Sequence, residues 1–144
     1  MGRYEIITHL AAGGMATVFL GRALGAAGFH RLVAIKLLHP HVAADQQFTT
    51  MFLDEARLAA RIRHPNVVPT LDLQHGSEGP YLVMEFVEGE SLLGLLRQTV
   101  KVNKPMPAGI ALRIVLDALH GLHAAHAKGW GDGMVSEAIG TGLA

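Results

Sequence analysis

A lysine in the middle of an apolar segment is the feature that most restricts the fold of this chain. Residues 32–38 read Leu-Val-Ala-Ile-Lys-Leu-Leu, which predicts a β-strand that is apolar on both faces, with Lys36 on the same face as Leu32, Ala34 and Leu38. Burying an ammonium group is costly unless it is paired or stays in contact with water. The fold must therefore supply an acidic partner for Lys36 or leave its amine solvated.

A predicted helix at residues 45–63 also carries a charged residue at an apolar position, Glu55. Apolar side chains recur there at the spacing of an amphipathic helix, and Glu55 falls inside their stripe. The stripe consists of Phe48, Met51, Phe52, Glu55, Leu58, Ala59 and Ile62. If this helix packs on the strand, an ion pair between Lys36 and Glu55 accounts for both exceptions. The alternative is a lysine that snorkels to solvent and an unrelated glutamate at the edge of the stripe.

The remaining pattern predicts an α+β chain. Strands are predicted over residues 4–12, 17–23, 32–38, 67–73 and 81–87, and helices over 91–100 and 107–128 follow. This order indicates a five-stranded antiparallel sheet with one packed helix, followed by the start of a helical region. We expect the organisation to divide into residues 1–88, residues 89–128 and a poorly ordered, glycine-rich tail at 129–144.

Composition narrows the classes of partner and location. Twelve basic residues balance 12 acidic ones, so charge does not favour a nucleic acid or an anionic membrane as partner. The sequence contains no cysteine, which excludes disulfides and thiolate metal sites and fits a cytoplasmic location. Charged residues and histidines interrupt the apolar stretch from Pro105 to Ala127, which predicts a buried helix and not a membrane span.

Nine histidines raise the question of a metal site. His120, His123 and His126 recur on one predicted helix, the latter two near its buried side, and His39 and His41 flank a proline. A zinc site on a helix usually takes the spacing H-x-x-x-H or a further ligand from elsewhere in the chain. We therefore expect structural histidines and no metal site.

Several segments, in their order and spacing, resemble the bacterial-type serine/threonine protein kinases. Residues 10–18 are similar to the Gly-rich loop G-x-G-x-x-G-x-V, with Ala11, Gly13 and Ala16 at its three glycine positions. Residues 33–36 read V-A-I-K, and Glu55 matches the glutamate of the family's C-helix. Residues 64–68 resemble the turn after that helix, and residues 81–89 resemble the fifth strand and hinge.

The resemblance covers residues 4 to 128 and implies a kinase N-lobe followed by the first helices of the C-lobe. It implies phosphoryl transfer from ATP to protein hydroxyls in a full-length parent, with Lys36 anchoring the phosphates and Glu55 holding Lys36. Met84 would be the gatekeeper, and the backbone of Glu85 and Val87 would bind adenine. The positions implied in ATP binding are Leu10, Ala11, Gly13, Gly14, Val18, Ala34, Lys36, Met84, Glu85 and Val87.

The catalytic loop H-R-D-x-x-x-x-N and the D-F-G motif of the family do not occur in these 144 residues. Those motifs supply the base and the protein ligands of Mg²⁺, so we expect this polypeptide alone not to phosphorylate proteins. One alternative is a non-catalytic module that binds a nucleotide or a partner kinase. Another is an inactive product of a frameshift or early stop near Lys128. An apolar stripe left uncovered on the last helix would then favour self-association.

Overall fold

The chain was analysed in a computed structural model that describes residues 2–129. These residues form two compact units. The first comprises residues up to Arg61 together with Val68–Val87, and the second comprises Ile62–Val67 and the described residues from Glu88 onward. The tail at 130–144, for which the sequence predicts poor order and suggests a frameshift origin, lies outside the described residues.

The first unit contains the predicted five-stranded antiparallel sheet, which is confirmed. Its strands lie in the order β1-β2-β3-β5-β4. They are β1 (Tyr4–Ala12), β2 (Ala16–Leu24), β3 (His30–Leu38), β4 (Thr70–Gly76) and β5 (Gly79–Glu85). The prediction that the fourth strand begins at Val67 is wrong, because Pro69 has no N–H to donate to a ladder and the strand starts after it. The fifth strand ends at Glu85 and not at Val87, and its last amide donates to the Pro69 carbonyl at 3.0 Å.

Two helices belong to the first unit, α1 (Pro40–Ala43) and α2 (Gln46–Ala59). α1 begins at Pro40, because the fixed φ of proline suits a first helical turn. Asp45 caps α2 by accepting a 2.8 Å hydrogen bond from the Gln47 amide. The helix ends before the predicted Arg63, because the Ala60 amide closes its last turn on the carbonyls of Ala56 and Leu58.

The buried face of α2 differs from the predicted stripe. Glu55 and Phe52 are buried as predicted, but Phe48 and Met51 are 40% and 38% exposed. The smaller Thr49 and Ala56 are buried in their place. The buried face of α2 thus combines the large Phe52 ring with small side chains that allow close packing on the sheet. Phe52 and Ala56 join one core cluster with Ala16, Leu38, Val42 and Leu82.

A second core cluster covers the opposite face of the sheet. It consists of Tyr4, Val33, Ile35, Leu37, Tyr81 and Val83, with Phe19 and Ala23 packed against it. Gly21 leaves the room that this cluster needs, because a Cβ atom there would collide with the Ile35 side chain and lie 3.1 Å from the Glu5 carbonyl oxygen. The rings of Tyr4 and Tyr81 meet edge to face, with centroids 6.4 Å apart.

A polar cluster joins the two edge strands of the sheet, and we call it the edge clasp. It consists of Arg3, Tyr4, Asp72 and Gln74. The Tyr4 hydroxyl donates to Asp72 Oδ2 at 2.7 Å, and the Arg3 guanidinium donates to the same oxygen at 2.8 Å. Because β1 and β4 lie at opposite edges of the sheet, these bonds show that the sheet curls until its edges meet.

The edge clasp makes stability depend on pH in the acidic range. Burial would raise the pKa of Asp72, but hydrogen bonds from Tyr4, Arg3, Gln74 and the Leu73 amide outweigh it and lower that pKa below its ordinary value. A carboxylate with a lowered folded pKa stabilises the protein above its unfolded pKa, and this contribution is lost as the pH falls through the folded pKa.

We therefore expect Asp72→Asn to lower the free energy of unfolding by about 1–2 kcal/mol at pH 7. The difference from wild type should shrink as the pH falls below about 4, where Asp72 becomes protonated in the unfolded chain before it does so in the folded protein. Urea unfolding of both proteins between pH 7 and pH 3 measures it. A stability difference that stays constant from pH 7 to pH 3 would contradict the lowered folded pKa of Asp72.

The second unit contains α3 (Leu92–Lys101) and α4 (Ala108–His126). Ser91 caps α3 by accepting a 3.0 Å hydrogen bond from the Gly94 amide. On α4 the buried positions are Gly121 and Ala125. Gly121 lies against the turn before β4, where an added Cβ would be only 2.5 Å from the Asn66 carbonyl oxygen.

The apolar stripe of α4 is exposed among the described residues, as expected where the rest of a C-lobe is not among them. Leu112, Val115, Leu116 and Leu119 are all more than half exposed. His123 and His126, predicted near the buried side, are exposed as well. The buried side of the helix is the one that carries Gly121 and Ala125.

The described residues were compared with the requirements of a metal site and of a membrane-spanning helix, and only the second is met. Residues 2–129 hold no cluster of three or more histidine, cysteine or acidic side chains arranged to bind a metal ion. Within the same range, α4 alone is long and apolar enough to cross a membrane, by length and composition only.

Candidate nucleotide-binding site

The first unit places Lys36 on its central strand. On one side Lys36 lies opposite Val18 of β2, and on the other it lies opposite Leu82 of β5. Residues opposite each other on antiparallel strands share a face of the sheet, so apolar side chains flank the lysine stem on both sides. Lys36 is only 6% exposed, and its amine therefore depends on partners within the protein.

The ion pair predicted between Lys36 and Glu55 is confirmed. Lys36 Nζ lies 3.7 Å from Glu55 Oε1, and the two side chains are 8% and 11% exposed. Glu55 reaches the lysine from α2, which packs on the same face of the sheet. A buried pair of this kind places a cation at one point of the sheet, where it can meet a phosphate.

Phe52 is a second neighbour of Lys36. From the sequence, Phe52 was expected only to pack in the apolar stripe of the helix. The Lys36 ammonium lies over the Phe52 ring, 5.8 Å from its centroid. This distance is within the range of a cation–π interaction. Phe52 precedes Glu55 by about one helical turn, so both meet Lys36 from the same face of α2. The i, i+3 spacing of an aromatic residue and the acid was the signal available in the sequence.

The turn between β1 and β2 is built from small residues. The Gly13 amide donates to the Ala16 carbonyl at 2.9 Å, and Ala11 lies opposite Val18 in the strand register. An added Cβ at Gly13 would meet only the Ala16 oxygen at 3.7 Å, and one at Gly14 would meet nothing within 4 Å. Neither glycine has positive φ, so the backbone conformation does not require glycine at either position. The small side chains instead leave open space around the turn.

Three apolar positions predicted to enclose a base also lie in the first unit. Ala34 lies opposite Leu20 on β2 and opposite Met84 on β5, so Ala34 and Met84 are direct neighbours on the face that carries Lys36. Ala34 is 9% exposed, Val18 is half-buried and Leu10 is 43% exposed. The sheet thus brings Val18, Ala34 and Met84 to the face that carries Lys36.

The residues predicted to bind adenine lie at the end of β5. The Glu85 amide already donates to the Pro69 carbonyl at 3.0 Å, so only the Glu85 carbonyl can serve as the predicted contact. Arg31 on β3 approaches the Glu85 carboxylate at 3.3 Å, an ion pair that the sequence analysis did not foresee. Val87 follows the strand and is 66% exposed.

Comparison with known proteins agrees with this arrangement. Residues 4–129 match the family model for protein tyrosine and serine/threonine kinases. The chain is 42% identical over 125 residues to the tyrosine-protein kinase MasK of Myxococcus xanthus, a match that covers 87% of this chain and 19% of MasK. It is 37% identical over 131 residues to the serine/threonine-protein kinase PknB of Mycobacterium leprae, covering 88% of this chain and 20% of PknB.

Solved structures show the same fold. The kinase domain of Mycobacterium tuberculosis PknI superimposes with a TM-score of 0.70 and 27% sequence identity, over 89% of this chain and 50% of that one. The chain therefore spans about half of that kinase domain and about a fifth of the two curated relatives. The predicted N-lobe and first C-lobe helices are confirmed. By sequence and by fold, the chain belongs to the protein tyrosine and serine/threonine kinase family.

Proposed function

We propose that this chain is the ATP-binding part of a serine/threonine protein kinase, in which it holds the nucleotide for transfer of the γ-phosphate to protein hydroxyls. The observation that carries the proposal is the buried pair of Lys36 and Glu55 on the face flanked by the small-residue turn. In protein kinases such a lysine contacts the phosphates, and the C-helix glutamate keeps it in place.

The proposed contacts divide by chemistry. The ammonium group of Lys36 would neutralise phosphate charge, and it sits in a poorly hydrated place where charge–charge attraction is strong. The open turn at Gly13 and Gly14 would let backbone amides approach the phosphates. In this structure the Gly13 amide is bonded to Ala16, so it would reach a phosphate only if that bond opened. Val18, Ala34 and Met84 would contact the base.

The 144 residues do not fit the second part of the chemistry. They contain neither H-R-D-x-x-x-x-N nor D-F-G, so the groups that hold Mg²⁺ and accept the hydroxyl proton in this family are not among them. A second candidate function is a non-catalytic module that binds the nucleotide without transferring its phosphate. Both candidates share the same ATP site and differ only in phosphoryl transfer.

Thermal unfolding with and without ATP tests the shared site. ATP at about a hundred times its dissociation constant should stabilise the wild type by about 2.7 kcal/mol. Lys36→Met should lose most of this stabilisation, because an apolar group of similar length cannot pair with phosphate. Lys101→Met, at an exposed lysine of α3, is the matched control and should keep it.

Equal stabilisation of wild type and Lys36→Met by ATP would contradict the proposed site. Absence of any stabilisation of the wild type would contradict both candidate functions. Incubating ATP labelled in its γ-phosphate with a full-length parent protein that contains this chain then separates the two. Label transferred to a protein would favour the catalytic function, whereas binding without transfer would favour the module.

A further inference from the structure

A side-chain hydrogen bond lies behind the glycine-rich turn, on the face of the sheet opposite Lys36. Thr17 Oγ1 and His39 Nε2 are 3.0 Å apart. Thr17 lies opposite Leu37 in the register of β2 and β3, and His39 follows Leu37 by two positions. Alternation along β2 puts the Thr17 side chain on the face that Lys36 does not occupy, and the hydrogen bond brings the His39 ring to that side as well. The bond therefore leaves the lysine side of the turn open.

His39 contacts the turn a second time through its backbone. Its amide donates to the Met15 carbonyl at 2.9 Å. The returning arm of the turn, residues 15–17, is thus held at two points by one residue. The side-chain bond forms with either tautomer of a neutral imidazole and with imidazolium, because a hydroxyl can donate or accept.

The position of His39 in the chain gives these bonds their significance. His39 comes three residues after Lys36, directly beyond the end of β3. The strand that carries the lysine therefore leads directly into the residue that holds the turn. A displacement of the turn relative to Lys36 has to break the bonds to His39 or bend the central strand of the sheet.

We propose that His39 and Thr17 are positioning residues that fix the glycine-rich turn relative to Lys36 and thereby strengthen binding of the nucleotide's phosphates. This inference rests on the proposed ATP site and adds to it a requirement for the Thr17 hydroxyl. The base is bound elsewhere, by Val18, Ala34, Met84 and the end of β5. Loss of the hydroxyl should therefore weaken ATP binding and leave adenosine binding unchanged.

Thr17→Val is the sharpest test, because valine keeps the branched shape and removes only the hydroxyl. Titration calorimetry should show ATP binding weakened about three- to tenfold, the loss expected for one neutral hydrogen bond, with unchanged adenosine binding. Thr17→Ser retains an oxygen at the same position and should restore ATP affinity. Unchanged ATP affinity in Thr17→Val, or an equal loss for ATP and adenosine, would overturn the proposal.

A measurement without nucleotide separates failure of this inference from failure of the proposed function. Amide hydrogen exchange at residues 13–16 reports how often the turn opens. Thr17→Val should exchange several-fold faster there than wild type, while amides of α2 exchange at unchanged rates. Equal rates at residues 13–16 would overturn the positioning role even in a protein that binds ATP. If Thr17→Val exchanges faster at residues 13–16 but the wild type binds no ATP, the result would support the hydrogen bond between Thr17 and His39 and reject the ATP site.

Discussion

Glu55→Ala should lower the free energy of unfolding by about 3–5 kcal/mol, because it leaves the buried ammonium of Lys36 without its carboxylate. The two side chains are 8% and 11% exposed, so water replaces the lost carboxylate poorly. The Phe52 ring remains near Lys36, but a ring face compensates only part of a full charge. Urea unfolding monitored by circular dichroism measures the loss.

The neighbouring acid on the same helix is a matched control. Asp54 pairs with Arg57 at 2.9 Å, a shorter distance than that of the buried pair, but the two side chains are 51% and 68% exposed. Asp54→Ala should cost no more than about 0.5 kcal/mol, because exposed pairs are screened by water. A similar loss in Asp54→Ala and Glu55→Ala would show that burial does not govern these pairs.

The double variant Lys36→Met, Glu55→Leu distinguishes a missing partner from general damage to the core. Apolar side chains of similar size often replace a buried ion pair with little loss of stability. The double variant should therefore be more stable than Glu55→Ala alone, and ATP should not stabilise it. A double variant as unstable as the single one would mean that the loss comes from packing around α2.

Gly121→Ala should destabilise the second unit, because a methyl group at this position has no room. Its Cβ would lie 2.5 Å from the Asn66 carbonyl oxygen and 3.2 Å from Val67 Cγ2. The nearest obstacle is backbone, so α4 has to move away from the turn before β4. We expect the free energy of unfolding to fall by about 2–3 kcal/mol, the usual cost of overpacking a tight contact.

Gly109 on the same helix is the control for this prediction. Nothing lies within 4 Å of a Cβ added there. Gly109→Ala should leave stability unchanged or raise it by up to about 1 kcal/mol, because alanine favours a helix over glycine. Hydrogen exchange of the α4 amides locates each effect. If Gly121→Ala stabilises the protein as Gly109→Ala does, the close contact with Asn66 is not maintained in solution.

Together these experiments separate what holds the fold from what binds the nucleotide. Glu55 contributes to both, because it pairs with the lysine proposed to meet the phosphates. Gly121 contributes only to packing within the second unit. Thr17 is expected to affect phosphate binding with little effect on the rest of the sheet.

The sequence alone determined the sheet, its packed helix and the pairing of Lys36 with Glu55. Each of these depends on chemical character repeated over a few residues, such as the apolar alternation around Lys36 and the helical spacing around Glu55. A charged residue at a predicted buried position is also informative, because burying an unpaired charge costs free energy and so requires a partner in the chain. Two such charges in adjacent elements were enough to predict the contact.

Only the tertiary structure decided which faces are buried and which distant residues meet. The apolar pattern of α4 did not show which side of that helix is in contact, and the structure places its Gly121 side against Asn66. The bond between Tyr4 and Asp72 joins residues 68 positions apart on opposite edges of the sheet, and its existence depends on how far the sheet curls. Periodicity shows which side of an element can be buried. Which side is buried depends on the shape of what packs against it, and that shape is set by the whole fold.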